Sequence, residues 1–175
     1  MQPTIDVRIV NPFLQAVIHV FKTAARLPLT PGKPFLKQEP QAKGEVTGVI
    51  IITSRDKSTQ GTIALTLGEK CAVTVAAAML EESLQRLDEV VCDAVGELTN
   101  MISGQARMWL AMDNMPFDAA LPSVTAGQGH VVPHAGPGPV LALGFKSLYG
   151  PITVEVSFTA GTEEAETPPT AAAAS

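Results

Sequence analysis

Arg86-Leu-Asp-Glu-Val-Val-Cys-Asp-Ala-Val-Gly-Glu-Leu-Thr-Asn-Met-Ile-Ser-Gly-Gln-Ala-Arg-Met-Trp109 decides the fold. Its apolar residues Leu87, Val91, Ala94, Leu98, Met101, Ile102 and Trp109 recur at helical spacing, so one long helix gathers them into a single core-facing stripe. At about 100° per residue, Glu97 falls near one flank of that stripe and Asn100 roughly opposite it. The two are three residues apart, so both side chains can point toward the same outside object, with Asp93 a turn before and Gly104 a turn after. Gly96 and Gly104 sit inside the helix, where each costs about 1 kcal/mol relative to alanine. Either they leave room beside Glu97 and Asn100 for another backbone or a small group, or they serve tight packing against a neighbouring strand, or they are simply tolerated.

The elements around this helix follow from the same periodicities. Upstream, Asn11 is a candidate cap and Pro12 suits a first helical turn, while Phe13, Ala16, Val17, Val20, Phe21 and Ala24 build an apolar face. Leu27-Pro-Leu-Thr-Pro-Gly-Lys-Pro34 ends that helix as a proline-rich connection. Val46–Thr53 and Thr62–Leu67 read as strands joined by the polar turn at 54–61, hence antiparallel. Glu69–Leu80 is a second helix. Beyond the long helix, Asp113-Asn-Met-Pro116 breaks the pattern, and the glycine- and proline-rich text from Ala120 to Pro139 includes one strand-like piece, His130–Val132. Val140–Phe145 and Ile152–Phe158 are the last strands. In the second of these, Ile152, Val154, Val156 and Phe158 alternate with Thr153, Glu155 and Ser157, the pattern of a strand with one buried face. The sum is an α+β layered fold, a mostly antiparallel sheet packed against three helices, one of them long.

Leu87-Asp88-Glu89, then Gly96-Glu97-Leu98-Thr99-Asn100-Met101, then Gly104 resemble the signature helix of the CheC/CheX/FliY family, phosphatases of the chemotaxis response regulator CheY. The family's Glu-x-x-Asn motif is matched by Glu97 and Asn100. Ile9-Val10-Asn11-Pro12-Phe13, Gly32-Lys33-Pro34 and Leu121-Pro122-Ser123-Val124 resemble CheX members in the same order, so the likeness runs over residues 5 to 158. CheC-like members carry a second Glu-x-x-Asn in their first helix. Here that helix has none, and the resemblance implies one active site per chain, as in CheX. The stretches Pro28–Pro40 and Gly127–Gly138 are longer or differently composed than the family pattern.

The resemblance also implies roles. Asn100 would orient water at the aspartyl phosphate of a CheY-like response regulator, and Glu97 would dock by pairing with a lysine of that regulator. Asp93, Gly96 and Gly104 would border the partner surface. No cofactor of its own is implied, since Mg²⁺ is supplied by the regulator. A homodimer joined through edge strands is implied as well. The rival from another class is a non-catalytic binding module like the flagellar switch protein FliM, which shares the fold without the acid–asparagine pair.

Bulk properties agree with this and exclude much else. At 175 residues the chain is one domain by prior, expected over 1–159, with 160–175 as a disordered acidic, Pro/Ala-rich tail. Its net charge of −5 includes Glu163, Glu164 and Glu166, so the 12 basic residues face 14 acids elsewhere and the body stands near −2. A nearly neutral body with 5% aromatics argues against nucleic acid. No apolar run approaches the roughly 20 residues that span a bilayer, and no secretion signal is visible, so a cytoplasmic location is expected. Cys71 and Cys92 lie on separate expected helices without metal-like spacing. His130 and His134 are four apart but separated by Pro133, so they are no helical metal pair, and no metal site is expected.

Overall fold

The computed structural model describes residues 6–160. Helix α1 (Val7–Ala24) begins earlier than Asn11. Asp6 is the cap, its carboxylate accepting the Arg8 backbone N–H at 2.9 Å, and Pro12 lies inside the helix. A carboxylate at the positive helix end outweighs the single hydrogen bond that proline forfeits in the second turn, and the added turn brings Val10 into the core.

Eight strands form one sheet: β1 (Thr30–Pro31), β2 (Phe35–Leu36), β3 (Val46–Ser54), β4 (Thr59–Leu67), β5 (Phe117–Ala119), β6 (Ser123–Ala126), β7 (Val140–Lys146) and β8 (Ile152–Ala160). Their order is β1-β7-β8-β4-β3-β5, with β2 also pairing β7 and β6 also pairing β3. Every pair is antiparallel, as expected. The hairpin turn is shorter than 54–61, because β3 runs to Ser54 and β4 starts at Thr59. Asp56 holds it by accepting the Ser54 hydroxyl at 2.6 Å and the Ser58 backbone N–H at 3.1 Å. The proline-rich connection contains β1 and β2, and His130–Val132 forms no strand, only the single bridge Gln41↔Val131. Pro133 supplies no ladder donor, so pairing cannot extend past it. Ala160 is the last residue of β8; the rest of the expected tail, 161–175, lies outside the described residues.

Helix α2 (Glu69–Leu80) starts at Gly68, and the Glu45 carboxylate accepts the Glu69 N–H at 2.7 Å, a cap supplied from before β3. Helix α3 (Glu89–Met112) packs against α1, α2 and the sheet. The helices cover one sheet face. Its inward residues Ile50 and Ile52 of β3, Ile63, Leu65 and Leu67 of β4, and Ile152, Val154 and Val156 of β8 join Phe13, Phe21, Leu98 and Ile102 in the main core.

The opposite sheet face is covered too, which corrects the one-face reading of β8: Thr153, Glu155 and Ser157 are all buried. The cover consists of residues 37–42 and 130–139, tied to each other by Ala42 N–H to His130 O and Val132 N–H to Pro40 O. Val132 completes a small second core with Val49 and Ala64. Glu155, 0% exposed, carries an ion pair to Lys37 at 2.5 Å and a hydrogen bond from His134 Nε2 at 2.9 Å. Gly138 allows the cover to lie this close, since a Cβ there would stand 2.8 Å from the Phe158 carbonyl oxygen.

Candidate functional site

The site is built on α3, whose start is fixed by Asp88: its carboxylate accepts the Val91 N–H at 3.1 Å, with Glu89 in the first turn. Val91, Ala94, Val95, Leu98, Ile102, Ala106 and Leu110 are buried, so the helix can rotate no other way without lifting them from the core. That phase turns Asp93, Glu97 and Asn100 outward, and all three are exposed. Among the described residues, none of these side chains makes a hydrogen bond or an ion pair with the rest of the chain. A carboxylate and a carboxamide therefore stand side by side on a braced helix with their polar atoms free.

The bracing is strongest at the turn that carries the pair. Gly48 of β3 lets α3 sit directly on the sheet: a Cβ there would stand 2.1 Å from Thr99 Oγ1 and 3.3 Å from the Val95 carbonyl oxygen. The Thr99 hydroxyl, between Glu97 and Asn100 in sequence, donates to that same carbonyl at 2.7 Å. The two helix glycines divide. Gly96 is buried, and the space beside it belongs to Val124 of β6, 3.1 Å from where a Cβ would be, so it serves packing rather than a visitor. At Gly104 a Cβ would meet nothing within 4 Å.

Other reactive groups are occupied or muted. His130 donates through Nδ1 to the Gly127 carbonyl at 2.6 Å and accepts the Thr47 hydroxyl at Nε2, 2.7 Å away. Among the described residues no group of three or more His, Cys, Asp or Glu could hold a metal. Burial lifts the Cys71 thiol above its ordinary range; burial, then the carboxylates of Asp93, Asp88 and Glu89, do the same for Cys92. Both stay protonated near neutrality and neither is an activated nucleophile. No helix among the described residues is long and apolar enough to cross a membrane.

The Lys37–Glu155–His134 cluster escaped the sequence reading. Alternation in β8 marks which residues share a face but not whether that face is covered, and Lys37 is 118 residues away from Glu155. The cluster borders a pocket of about 270 Å³ and ties the cover to the sheet.

The sequence profile of the family described as chemotaxis phosphatase CheX matches residues 46–146. The CheY-P phosphatase CheX of Thermotoga maritima is 27% identical over 124 residues, which cover 70% of this chain and 78% of that relative. Among solved structures, the chemotaxis protein CheX of Desulfovibrio desulfuricans superposes with a TM-score of 0.78 at 41% identity, across 87% of this chain and 99% of that one. The CheX–CheY–BeF3–Mg²⁺ complex of Borrelia burgdorferi shares the fold at 21% identity, with a TM-score of 0.72 over 87% of this chain and 99% of that one.

Proposed function

Given that the chain belongs to the CheX family, within the CheC/CheX/FliY group, we propose that it is a phosphatase of a CheY-like response regulator, with Asn100 as the catalytic residue and Glu97 as the docking residue. The observation that carries this reading is the outward, unpartnered pair Glu97 and Asn100 on a helix locked against the sheet at Gly48 and Thr99. Relatives supply the substrate class: one is named a CheY-P phosphatase, and another is held in a complex with CheY, beryllium fluoride and magnesium.

The chemistry asks little of the protein beyond placement. A water oxygen attacks phosphorus in line with the bond to the aspartate oxygen; that bond breaks, and aspartate carboxylate and inorganic phosphate are released. A carboxamide suits this task because its oxygen accepts a hydrogen bond from the water while its NH₂ donates to a phosphoryl oxygen. It adds no negative charge against the phosphoryl group. Holding water in the attack geometry removes an entropic barrier, and Mg²⁺ bound by the regulator neutralises the charge, so the phosphatase needs no cofactor of its own. In this reading Glu97 pairs with a lysine of the regulator and positions it by a charge-assisted hydrogen bond. One site per chain, cytoplasmic residence and a homodimer through edge strands belong to the same reading.

The test is the rate of phosphate loss from a phosphorylated CheY-type receiver with Mg²⁺, with and without the protein. Asn100→Ala should lower the acceleration by about 100-fold, the scale of a misplaced reacting group. Its thermal midpoint should not move, because an exposed side chain without partners contributes within about 0.5 kcal/mol. A fully active Asn100→Ala protein would remove the catalytic assignment, and wild-type protein that binds the receiver without hastening phosphate loss would favour the FliM-like alternative.

A further inference from the structure

The outward line of α3 does not stop at Asn100. Asp93, Glu97, Asn100, Gly104, Met108 and Met112 follow one another at three- and four-residue steps and share one face of the helix. At about 1.5 Å per residue, Gly104 lies about 6 Å and Met108 about 12 Å beyond Asn100 along the axis. Gly96 has its reason inside the protein, in Val124. Gly104 has none there, for a side chain at that position would meet open space. Next along the face, Met108 is 52% exposed and Met112 75%, flexible apolar side chains of the kind that adapt to another protein's surface.

Size argues what covers this ground. A specific protein interface takes about 800 Å² from each partner, far more than one carboxylate and one amide present. A receiver domain of about 100 residues has a radius of gyration of about 13 Å, so one that brings its phosphoryl group to Asn100 overlies Gly104 and reaches Met108. Resting on the phosphatase reading, we propose that Gly104 and Met108 form a second contact for the phosphorylated receiver. Gly104 is the floor on which a segment beside the phosphorylation site lies, and Met108 is an apolar wall against one of its side chains. This part of α3 selects among receivers by shape, separately from the chemistry at Asn100.

The experiment measures binding of the full chain to a receiver activated with beryllium fluoride and Mg²⁺, beside steady-state phosphate release. Gly104→Leu should weaken binding about tenfold or more and raise KM to match. Its thermal midpoint should equal or exceed that of wild type, since leucine favours the helix and a Cβ there meets nothing within 4 Å. Met108→Asp should weaken binding about fivefold. A folded Gly104→Leu protein that binds as wild type overturns the proposal. If wild type binds the activated receiver but releases no phosphate faster, the phosphatase reading falls while the binding comparison still decides Gly104; if wild type does not bind, both fall.

Discussion

Gly48 and Thr99 lie so close that a Cβ on the glycine would stand 2.1 Å from the threonine Oγ1. The contact fixes the distance of α3 from β3 at the turn bearing Glu97 and Asn100, so the sheet sets how far the amide projects. Gly48 also pairs with Leu65 of β4 on one side and Val124 of β6 on the other, so the strand has no free edge at this point along which to yield. Gly48→Ala should therefore push the helix outward, with an overpacking cost of about 1–3 kcal/mol read from denaturant unfolding. Phosphatase kcat should fall along with stability, because the reacting geometry tolerates little displacement. Wild-type stability in Gly48→Ala would show that the seat yields easily.

Glu155 and Lys37 make the second prediction. Their side chains are 0% and 5% exposed, so each is the other's chief compensation for lost hydration. Lys37→Met should destabilise by about 3–5 kcal/mol, leaving a buried carboxylate with only His134. The double variant Lys37→Met with Glu155→Leu should be more stable than the single one, because a buried pair replaced by apolar groups leaves no orphan charge. Chemical denaturation of wild type, Lys37→Met, Glu155→Leu and the double variant gives the coupling directly, and additive effects would contradict it.

These two positions also show what the sequence could and could not tell. The outward phase of Glu97 and Asn100 was legible because six apolar residues at helical spacing, from Val91 to Trp109, leave one orientation for α3. The long strands β3, β4 and β8 were legible from their β-branched residues, and β7 from its apolar run Val140–Leu143 before Gly144. β1, β2, β5 and β6 were not, since two to four residues are too few to show alternation, and three of them sit in or beside proline-rich text. Glu155 read as solvent-facing because the segments that cover it carry glycine, proline and polar residues, a composition that resembles loop. The start of α1 was misplaced because Asn11-Pro12 imitates a cap and first turn, while the true cap, Asp6, precedes Val7-Arg8-Ile9-Val10, whose three β-branched residues are weak helix formers.

Glu97 provides the last prediction, which separates docking from chemistry. Its carboxylate is exposed and unpaired among the described residues, so in the free protein it contributes little to stability, and Glu97→Gln should unfold within about 0.5 kcal/mol of wild type. In the proposed complex, a pairing with a receiver lysine would be partly desolvated and would count for more. Glu97→Gln should raise KM about tenfold, equivalent to about 1.4 kcal/mol, with a much smaller fall in kcat. Salt gives the decisive comparison. Wild-type KM should rise between low and high ionic strength as the pair is screened, and the Glu97→Gln KM should rise less, since its charge is already gone. Asn100→Ala should keep the wild-type salt dependence of binding, because the amide is neutral. Equal salt slopes in wild type and Glu97→Gln would show that the carboxylate meets no cation, and Glu97 would then have no docking role.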